Sequence, residues 1–467
     1  MIVRHMPSPE ATPDNTFTQQ TLDALTATLL SWRQGPGAFG GLHLHSCWSE
    51  SSVLTRRYHG QNTPMQAQII AGAVRLADAT GDPFWARMAG SIAENLLWLQ
   101  EDEGGFIHAA NEFEPAYTCH ETCPIAQGMP ALGLLEYAAW PQGDSALKEA
   151  IRPALKRFFG WMERYFWKRG NGWKQPLPHP GWSGVTNQDL VVVAAMARHG
   201  VVYGDWSIYE RFGAPTLAYY LSPAMQHGAI GLFERGDQPN FAERTSYYEI
   251  IVEMLRRIHE ATGDQHAASS ADNVCAHLFD AIVTDENGLS QFAWGATTDP
   301  EDKTKILGWK QTPRVVPGYP KLAALLREYL LRHPDPQRSA AVDGIERTLA
   351  RLVSADGTLP VSLGAADPMF TIAPASSIVF WNQLIERLGP SARSPRKDGM
   401  PTLRRRMGEW TFTSSAAFWE IRRGGARLFA GVKREPSGIL LGEGETMRGI
   451  DFSPLESPEI EEIWQAR

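Results

Sequence analysis

The sequence predicts a mostly α-helical protein, an (α/α)6 toroid built from six helical hairpins, with a small antiparallel β appendage after it. Three observations lead to this prediction: a turn dipeptide that recurs along the chain, apolar residues at helical spacing around each turn, and strand-like alternation after residue 400. We predict residues 1–16 as a flexible N-terminus, 17–400 as the toroid, and 401–467 as the β appendage and tail.

The dipeptide Gly-Asp marks a repeat of about 60 residues. Glycine can adopt the left-handed conformation that closes one helix, and aspartate can cap the next helix by accepting from its free amide groups. The dipeptide occurs at Gly81-Asp82, Gly143-Asp144, Gly204-Asp205 and Gly263-Asp264. Two later segments, His333-Pro334-Asp335 and Leu388-Gly389-Pro390, occupy corresponding places, so six units are expected.

Each turn is predicted to join an inner helix to an outer helix. The outer helices are amphipathic, as the apolar residues from Phe84 to Leu99 illustrate by recurring every three or four positions. The inner helices are more apolar, and a cap or a proline precedes each one. We predict inner-helix starts near Thr63-Pro64, Cys123-Pro124, Thr186-Asn187, Thr245-Ser246, Val316-Pro317 and Ala373-Pro374. Residues 17–33 are predicted to supply the first outer helix.

The connections between the helices differ strongly in length. The Gly-Asp turns are short, whereas the return segments are far longer than the usual four to six residues. These segments are approximately 34–62, 100–122, 168–185, 222–244, 285–316 and 354–372. In an alternating ring all the long segments reach one end, which we call the mouth. Because long loops on a rigid scaffold commonly carry function, we expect the site at the mouth.

The predicted appendage alternates apolar and polar residues from Glu409 to Glu443. Gly424-Gly425 is predicted as a hairpin turn, and Pro436-Ser437-Gly438 as a second turn, so that the strands end near residue 445.

Charge and composition exclude several classes of protein. The 467 residues carry 44 Lys and Arg against 52 Asp and Glu, a net charge of -8, which argues against nucleic acid or an anionic membrane as a partner. Four cysteines do not form a disulfide framework, and neither an apolar signal region nor a membrane span is visible. We expect a cytoplasmic protein, or a secreted one whose signal has been removed; a homo-oligomer is compatible with the sequence.

No cofactor is expected. The chain has no Gly-rich phosphate loop, no Gly-x-Ser-x-Gly elbow and no His-Glu-x-x-His motif. Cys119, His120 and Cys123, together with His43 and His45, suggest zinc ligands, but no matching second cysteine pair is present. We therefore predict no metal site.

Three carboxylates near the starts of inner helices are the predicted catalytic residues: Asp189, Glu121 and Glu243. Glycoside hydrolysis needs two carboxyl groups, one that donates a proton and one that acts as base or nucleophile. An acid in the first turn of a helix can instead serve only the helix dipole, so the structural alternative stays open.

The return segments also carry candidate substrate-binding residues. Tryptophans could stack on sugar rings, and arginines could bind a uronate carboxylate. The predicted set is Trp48, His120, His179, Trp182, Asn187, Gln188, Arg244, Tyr248, Trp309 and Arg314. Each of these could instead pack the loops onto the barrel or bridge them.

The pattern resembles the toroidal carbohydrate-active enzymes, most of all the exo-acting glucuronidases and unsaturated glucuronyl hydrolases. The motifs that carry the resemblance lie at 59–64, 181–189 and 243–249, beside the Gly-Asp turns. The resemblance implies a uronate-containing oligosaccharide as substrate and a pocket carboxylate as acid or base, which we match to Asp189.

Alternative functions stay open at this point. A toroidal lyase would use Tyr247, Tyr248 or His179 to remove a proton, with Asn187 or Arg244 neutralising the uronate carboxylate. A sugar epimerase would use a histidine pair, and a non-catalytic toroid would only bind glycan or peptide.

Overall fold

A computed structural model describes most of the predicted toroid and part of the appendage. The described residues are 18–31, 33–35, 37–39, 63–107, 123–170, 176–227, 231–234, 242–286, 288–311, 318–353, 357, 359 and 374–395, with the strands 403–407, 410–414, 418–423, 426–433 and 450–451.

These residues form twelve α-helices, which alternate between an outer and an inner position. The outer helices are α1 (Gln19–Ser31), α3 (Pro83–Trp98), α5 (Ser145–Tyr165), α7 (Ala214–Tyr220), α9 (Gln265–Leu278) and α11 (Pro336–Leu352). The inner helices are α2 (Thr63–Thr80), α4 (Pro124–Ala139), α6 (Thr186–Tyr203), α8 (Thr245–Thr262), α10 (Tyr319–Arg332) and α12 (Pro374–Leu388). The predicted inner-helix starts are confirmed within two residues, and α10 is the one that begins later than predicted.

The inner helices form a closed ring. Each one contacts the next in chain order, and α12 contacts α2, which closes the circle. Helix α1 packs outside α12, where the indole Nε1 of Trp381 donates to Thr26 Oγ1 at 2.9 Å. The architecture is therefore the predicted (α/α)6 toroid, in which the contact between α12 and α2 closes the inner ring.

The Gly-Asp turns use the two conformations that the sequence predicts. Gly81, Gly204 and Gly263 have φ values of 63°, 69° and 76°, in the left-handed region. Asp82 Oδ1 accepts from the amide of Phe84 at 2.9 Å, and the other aspartates of these turns cap in the same way. Gly143 is different, because α4 already ends at Ala139 and an extended Trp140 starts the turn.

The hydrophobic core fills the space between the two rings of helices. Its largest fully buried side chains include the tryptophans Trp85, Trp161 and Trp381, which lie on helices. Three of the 16 tryptophans therefore pack this layer from helices.

Short antiparallel hairpins occupy described parts of the return segments. They are β1 (Arg33–Gly35) with β2 (Ala38–Phe39), β3 (Gln226–His227) with β4 (Leu232–Phe233), β5 (Ile282–Thr284) with β6 (Ser290–Phe292), and β7 (Gly295–Thr298) with β8 (Ile306–Lys310). A bridge between Arg244 and Gly295 ties the β7–β8 hairpin to the start of α8.

The C-terminal appendage is an antiparallel sheet of five strands in the order β13-β12-β11-β10-β9. The strands are β9 (Leu403–Met407), β10 (Trp410–Ser414), β11 (Phe418–Arg423), β12 (Ala426–Lys433) and β13 (Ile450–Asp451). Arg423 pairs with Ala426, as expected for a two-residue hairpin at positions 424 and 425. The last strand lies beyond the predicted end near residue 445, and positions 436–438 lie outside the described residues.

Across the described part of the chain, no helix combines the length and the apolar character that crossing a membrane requires.

Candidate active site

A cavity of about 410 Å³ lies inside the ring of inner helices. Its lining comes from α2, α4, α8, α10 and α12, and begins near the mouth with residues such as Pro64, Cys123 and Ser246. The volume is within the range of about 300–1,000 Å³ that small-molecule sites occupy. Because the inner helices start at the mouth, the positive ends of their dipoles also lie there.

The middle of the cavity is apolar and its deeper wall is charged. Met129, Ile250 and Val379 belong to the apolar part. The described acids of the lining are Glu136, Glu249, Glu253 and Glu386, and its described cations are Arg75, Arg257 and Lys321. No histidine occurs in this lining, as far as the structure describes it.

Glu249 is partly buried in the cavity wall, one turn into α8. Gly318, the residue before α10, packs against it so closely that a Cβ there would lie 2.3 Å from Glu249 Cγ. Gly318 also has φ 77°, so a larger residue would be both strained and obstructed. Helix α10 therefore begins about one turn further from the mouth than α8 does, because Glu249 is four residues into α8.

The carboxyl group of Glu249 keeps its proton at neutral pH. Burial and the negative charge of Glu253 raise its pKa, the Lys321 ammonium opposes both effects, and the resulting pKa is about 8. Within the described residues, no hydrogen-bond donor is directed at this carboxyl group. It therefore combines a free acidic proton with access to a cavity.

Glu253, one turn further along α8, is ionised at neutral pH, unlike Glu249. The Lys321 ammonium and the Arg257 guanidinium outweigh burial and lower its pKa to about 2. Arg257 Nη2 lies 2.8 Å from Glu253 Oε1, and Lys321 Nζ lies 3.7 Å from Oε2. Two carboxyl groups on one helix face, about 5–6 Å apart at Cβ, are thus protonated and ionised respectively.

A chain of ion pairs lies in the part of the cavity away from the mouth. We call it the charge cluster; it includes residues from all six inner helices, namely Arg75, Glu136, Arg198, Glu253, Arg257, Lys321 and Glu386. The pair between Arg257 Nη1 and Glu136 Oε1, at 2.6 Å, joins α8 to α4 across the hole of the ring. Six of the seven members of the cluster line the cavity, and Arg198 extends the chain of ion pairs to α6.

Five members of the charge cluster occupy one repeated sequence position. Each lies twelve residues after the first residue of its inner helix: 63 to 75, 124 to 136, 186 to 198, 245 to 257 and 374 to 386. Twelve residues span about 18 Å of helix, so the charges meet at one level. The sequence analysis missed this set, although aligning the inner-helix starts would have revealed it.

Asp189, the predicted catalytic carboxylate, lies in a different environment. It has no exposed surface, and its oxygens accept from the amide of Ser183 at 2.8 Å, from Ser183 Oγ at 2.7 Å and from Tyr220 Oη at 2.8 Å. The amides of Trp182 and Gly184 also donate to it, at 3.1 and 3.4 Å. Asp189 thus fastens residues 182–184 to the start of α6.

Burial raises the pKa of Asp189, whereas the hydrogen bonds from Ser183, Tyr220 and the backbone lower it. Gly181 completes this enclosure, because a Cβ there would lie 2.6 Å from Asp189 Oδ2. The predicted role of Asp189 as acid or base stays untested, but its geometry favours a structural role because donors surround both oxygens.

Glu243 and Tyr248 are also fully buried. The amide of Phe233 donates to Tyr248 Oη at 3.2 Å, and burial together with the Glu243 charge raises the Tyr248 pKa well above its usual value. Both residues anchor the start of α8 against β4, so neither side chain offers exposed surface to a ligand.

The predicted aromatic platforms differ in exposure. Trp182 has no exposed surface and packs edge-on against Trp167 at 5.0 Å, so it belongs to the core in this structure. Trp309 is half-buried on β8. His179 stacks on Tyr219 with the ring centres 3.9 Å apart, which leaves a partly exposed pair near Asp189.

The remaining described candidates lie at the starts of two inner helices. Asn187 is 4% exposed and Gln188 is half-buried, and neither side-chain oxygen accepts a hydrogen bond from the described residues. The exposed Arg244 lies over the ring of Trp294 at 5.4 Å. These three residues are compatible with ligand binding at the mouth.

Four predicted site residues, Trp48, His120, Glu121 and Arg314, lie outside the described residues. Within the described part of the chain, no group of His, Cys, Asp or Glu has the arrangement of a metal site.

Comparison with known proteins identifies the fold. No protein-family description and no curated protein matches the chain. A sugar epimerase from a ruminal bacterium has a similar structure, with a TM-score of 0.55 and 13% identity over 80% of this chain and 98% of the epimerase. An unsaturated glucuronyl hydrolase specific for heparin gives a TM-score of 0.52 and 10% identity, over 82% and 100%. The chain has the toroid fold of these carbohydrate-active enzymes.

Proposed function

We propose that the protein is a glycoside hydrolase that acts on uronate-containing oligosaccharides at the mouth and cavity of the toroid. The observation that carries this proposal is Glu249, a carboxyl group that stays protonated at neutral pH in the wall of a cavity large enough for a sugar. A general acid of this kind can donate a proton to a glycosidic oxygen as the bond breaks.

Glu253 supplies the complementary charge. Its ionised carboxylate lies one helical turn from Glu249 in the same cavity wall, where it stabilises positive charge that develops on the sugar ring. After the glycosidic bond breaks and the leaving oxygen takes the Glu249 proton, the oxygen of a water bonds to the anomeric carbon, and the proton that this water releases returns to Glu249. This division between a neutral acid and an ionised carboxylate is the pattern that glycoside hydrolysis needs.

The charge distribution around the cavity supports an acidic sugar as substrate. The positive ends of the inner-helix dipoles favour an anion at the mouth, and the cations of the charge cluster lie below it. The heparin-specific glucuronyl hydrolase of the same fold is consistent with this substrate class.

A parallel assay tests the proposal. The protein is incubated with saturated and unsaturated uronate oligosaccharides while reducing ends and the ultraviolet absorbance of the unsaturated uronate are followed. We expect new reducing ends, with either no change or a loss of this absorbance. A gain of absorbance would instead identify a lyase, and an altered sugar without new reducing ends would identify an epimerase. Either of these outcomes, or unchanged oligosaccharides, would overturn the proposal.

A further inference from the structure

Lys321 occupies an unusual position for a buried cation. It lines the cavity, and its side chain is 14% exposed. Its ammonium lies 3.7 Å from Glu253 and 4.0 Å from Glu386, beyond hydrogen-bond distance of both. Among the described residues, no acceptor forms a hydrogen bond with it. A compact ammonium that has given up most of its water normally has such partners.

The other cations that line the cavity are more closely paired. Arg257 forms ion pairs at 2.6 and 2.8 Å, and Arg75 forms one with Glu386 at 2.9 Å. Among the described cations of the lining, Lys321 is therefore the one whose ion pairs all exceed hydrogen-bond distance, so that its ammonium can donate to a ligand.

We propose that Lys321 is the residue that binds the carboxylate of an acidic sugar in the cavity and thereby selects uronates over neutral sugars. The ammonium donates to the carboxylate while the apolar wall contacts the sugar ring. This inference rests on the proposed function, because it assigns the substrate's charged group to a residue of the same site.

The test measures binding rather than turnover. Calorimetry compares glucuronate with glucose, which has the same ring without the carboxylate, on the wild type and on Lys321→Met. A charge-assisted hydrogen bond corresponds to a preference of about ten- to a hundredfold. We expect the wild type to prefer glucuronate by this factor, Lys321→Met to lose the preference, and Lys321→Arg to keep most of it. A preference that survives in Lys321→Met overturns the inference.

Two controls separate recognition from a structural effect. Lys156→Met removes an exposed lysine of α5 and is expected to keep the preference. If Lys321→Met does not fold, the methyl ester of glucuronate provides the same comparison on the wild type. Equal affinity for the acid and its ester would overturn the inference.

The binding measurement and the activity assay test the two proposals separately. If uronate oligosaccharides are hydrolysed while Lys321→Met keeps the preference, the inference fails and the proposed function stands. If glucuronate binds through Lys321 but no oligosaccharide is cleaved, the proposed function fails and the binding site stands.

Discussion

Asp189 and Glu249 are both carboxylic acids whose pKa is raised by burial, yet they differ in what surrounds them. Donors from Ser183, Tyr220 and the loop backbone enclose Asp189, which has no exposed surface. Glu249 lines a cavity and has like charge beside it. A raised pKa alone therefore does not identify a catalytic acid; the carboxyl group must also reach the space where a substrate binds.

The largest expected effect is that of Glu249→Gln. Loss of the proton donor should lower kcat/KM on uronate oligosaccharides by about 10²–10⁴-fold, because the amide cannot protonate the leaving oxygen. Glu260→Gln, an exposed position on the same helix, is the matched control and should leave kcat/KM unchanged. Near-wild-type turnover of a folded Glu249→Gln protein would remove Glu249 from the mechanism.

Asp189→Asn should act on stability instead. The amide NH2 must then face N–H and O–H donors, so we expect the free energy of unfolding to fall by about 1–3 kcal/mol. Denaturant unfolding measures this loss, and activity is measured where the variant is folded. Activity within a few-fold of the wild type is expected there. A hundredfold loss of activity at unchanged stability would establish Asp189 as the catalytic carboxylate that the sequence predicts.

The pH dependence of the reaction distinguishes the two carboxyl groups further. Because Glu249 acts in its protonated form with a pKa of about 8, the rate should fall as the pH rises through 8. Glu253→Gln removes the like charge that raises this pKa, so the fall should move to lower pH. A kcat/KM profile of both proteins checks the direction. A shift to higher pH would contradict the assignment.

The smallest expected effect lies at the opposite end of the toroid. Asp264 Oδ1 accepts from the amides of His266 and Ala267 at the start of α9. Asp264→Ala should therefore cost about 1 kcal/mol of stability, within the usual range for a helix cap. Thermal unfolding measures this loss, and kcat/KM should not change. A large loss of activity would mean that the tight turns influence the site.

The toroid could be predicted from the sequence because the patterns that indicate it are local. Helical spacing, the left-handed glycines and the capping aspartates depend on neighbours within one or two turns, and five of the six inner helices begin at or next to the predicted residues. Gly143 departs from the pattern because α4 ends earlier, at Ala139. The site was harder to predict from the sequence. A carboxylate at the start of an inner helix can accept hydrogen bonds from the loop before it and lie buried, as Asp189 does.

The sequence by itself determined the repeat, the alternation of inner and outer helices, and the end at which the long segments meet. Only the tertiary structure decided which charges face the cavity. The pKa of Glu249 is raised and that of Glu253 is lowered. The difference arises because two cations, Lys321 of α10 and Arg257 of the next turn of α8, form ion pairs with Glu253. Such pKa differences depend on distances between helices and on burial, and neither can be read from the spacing of residues within one helix.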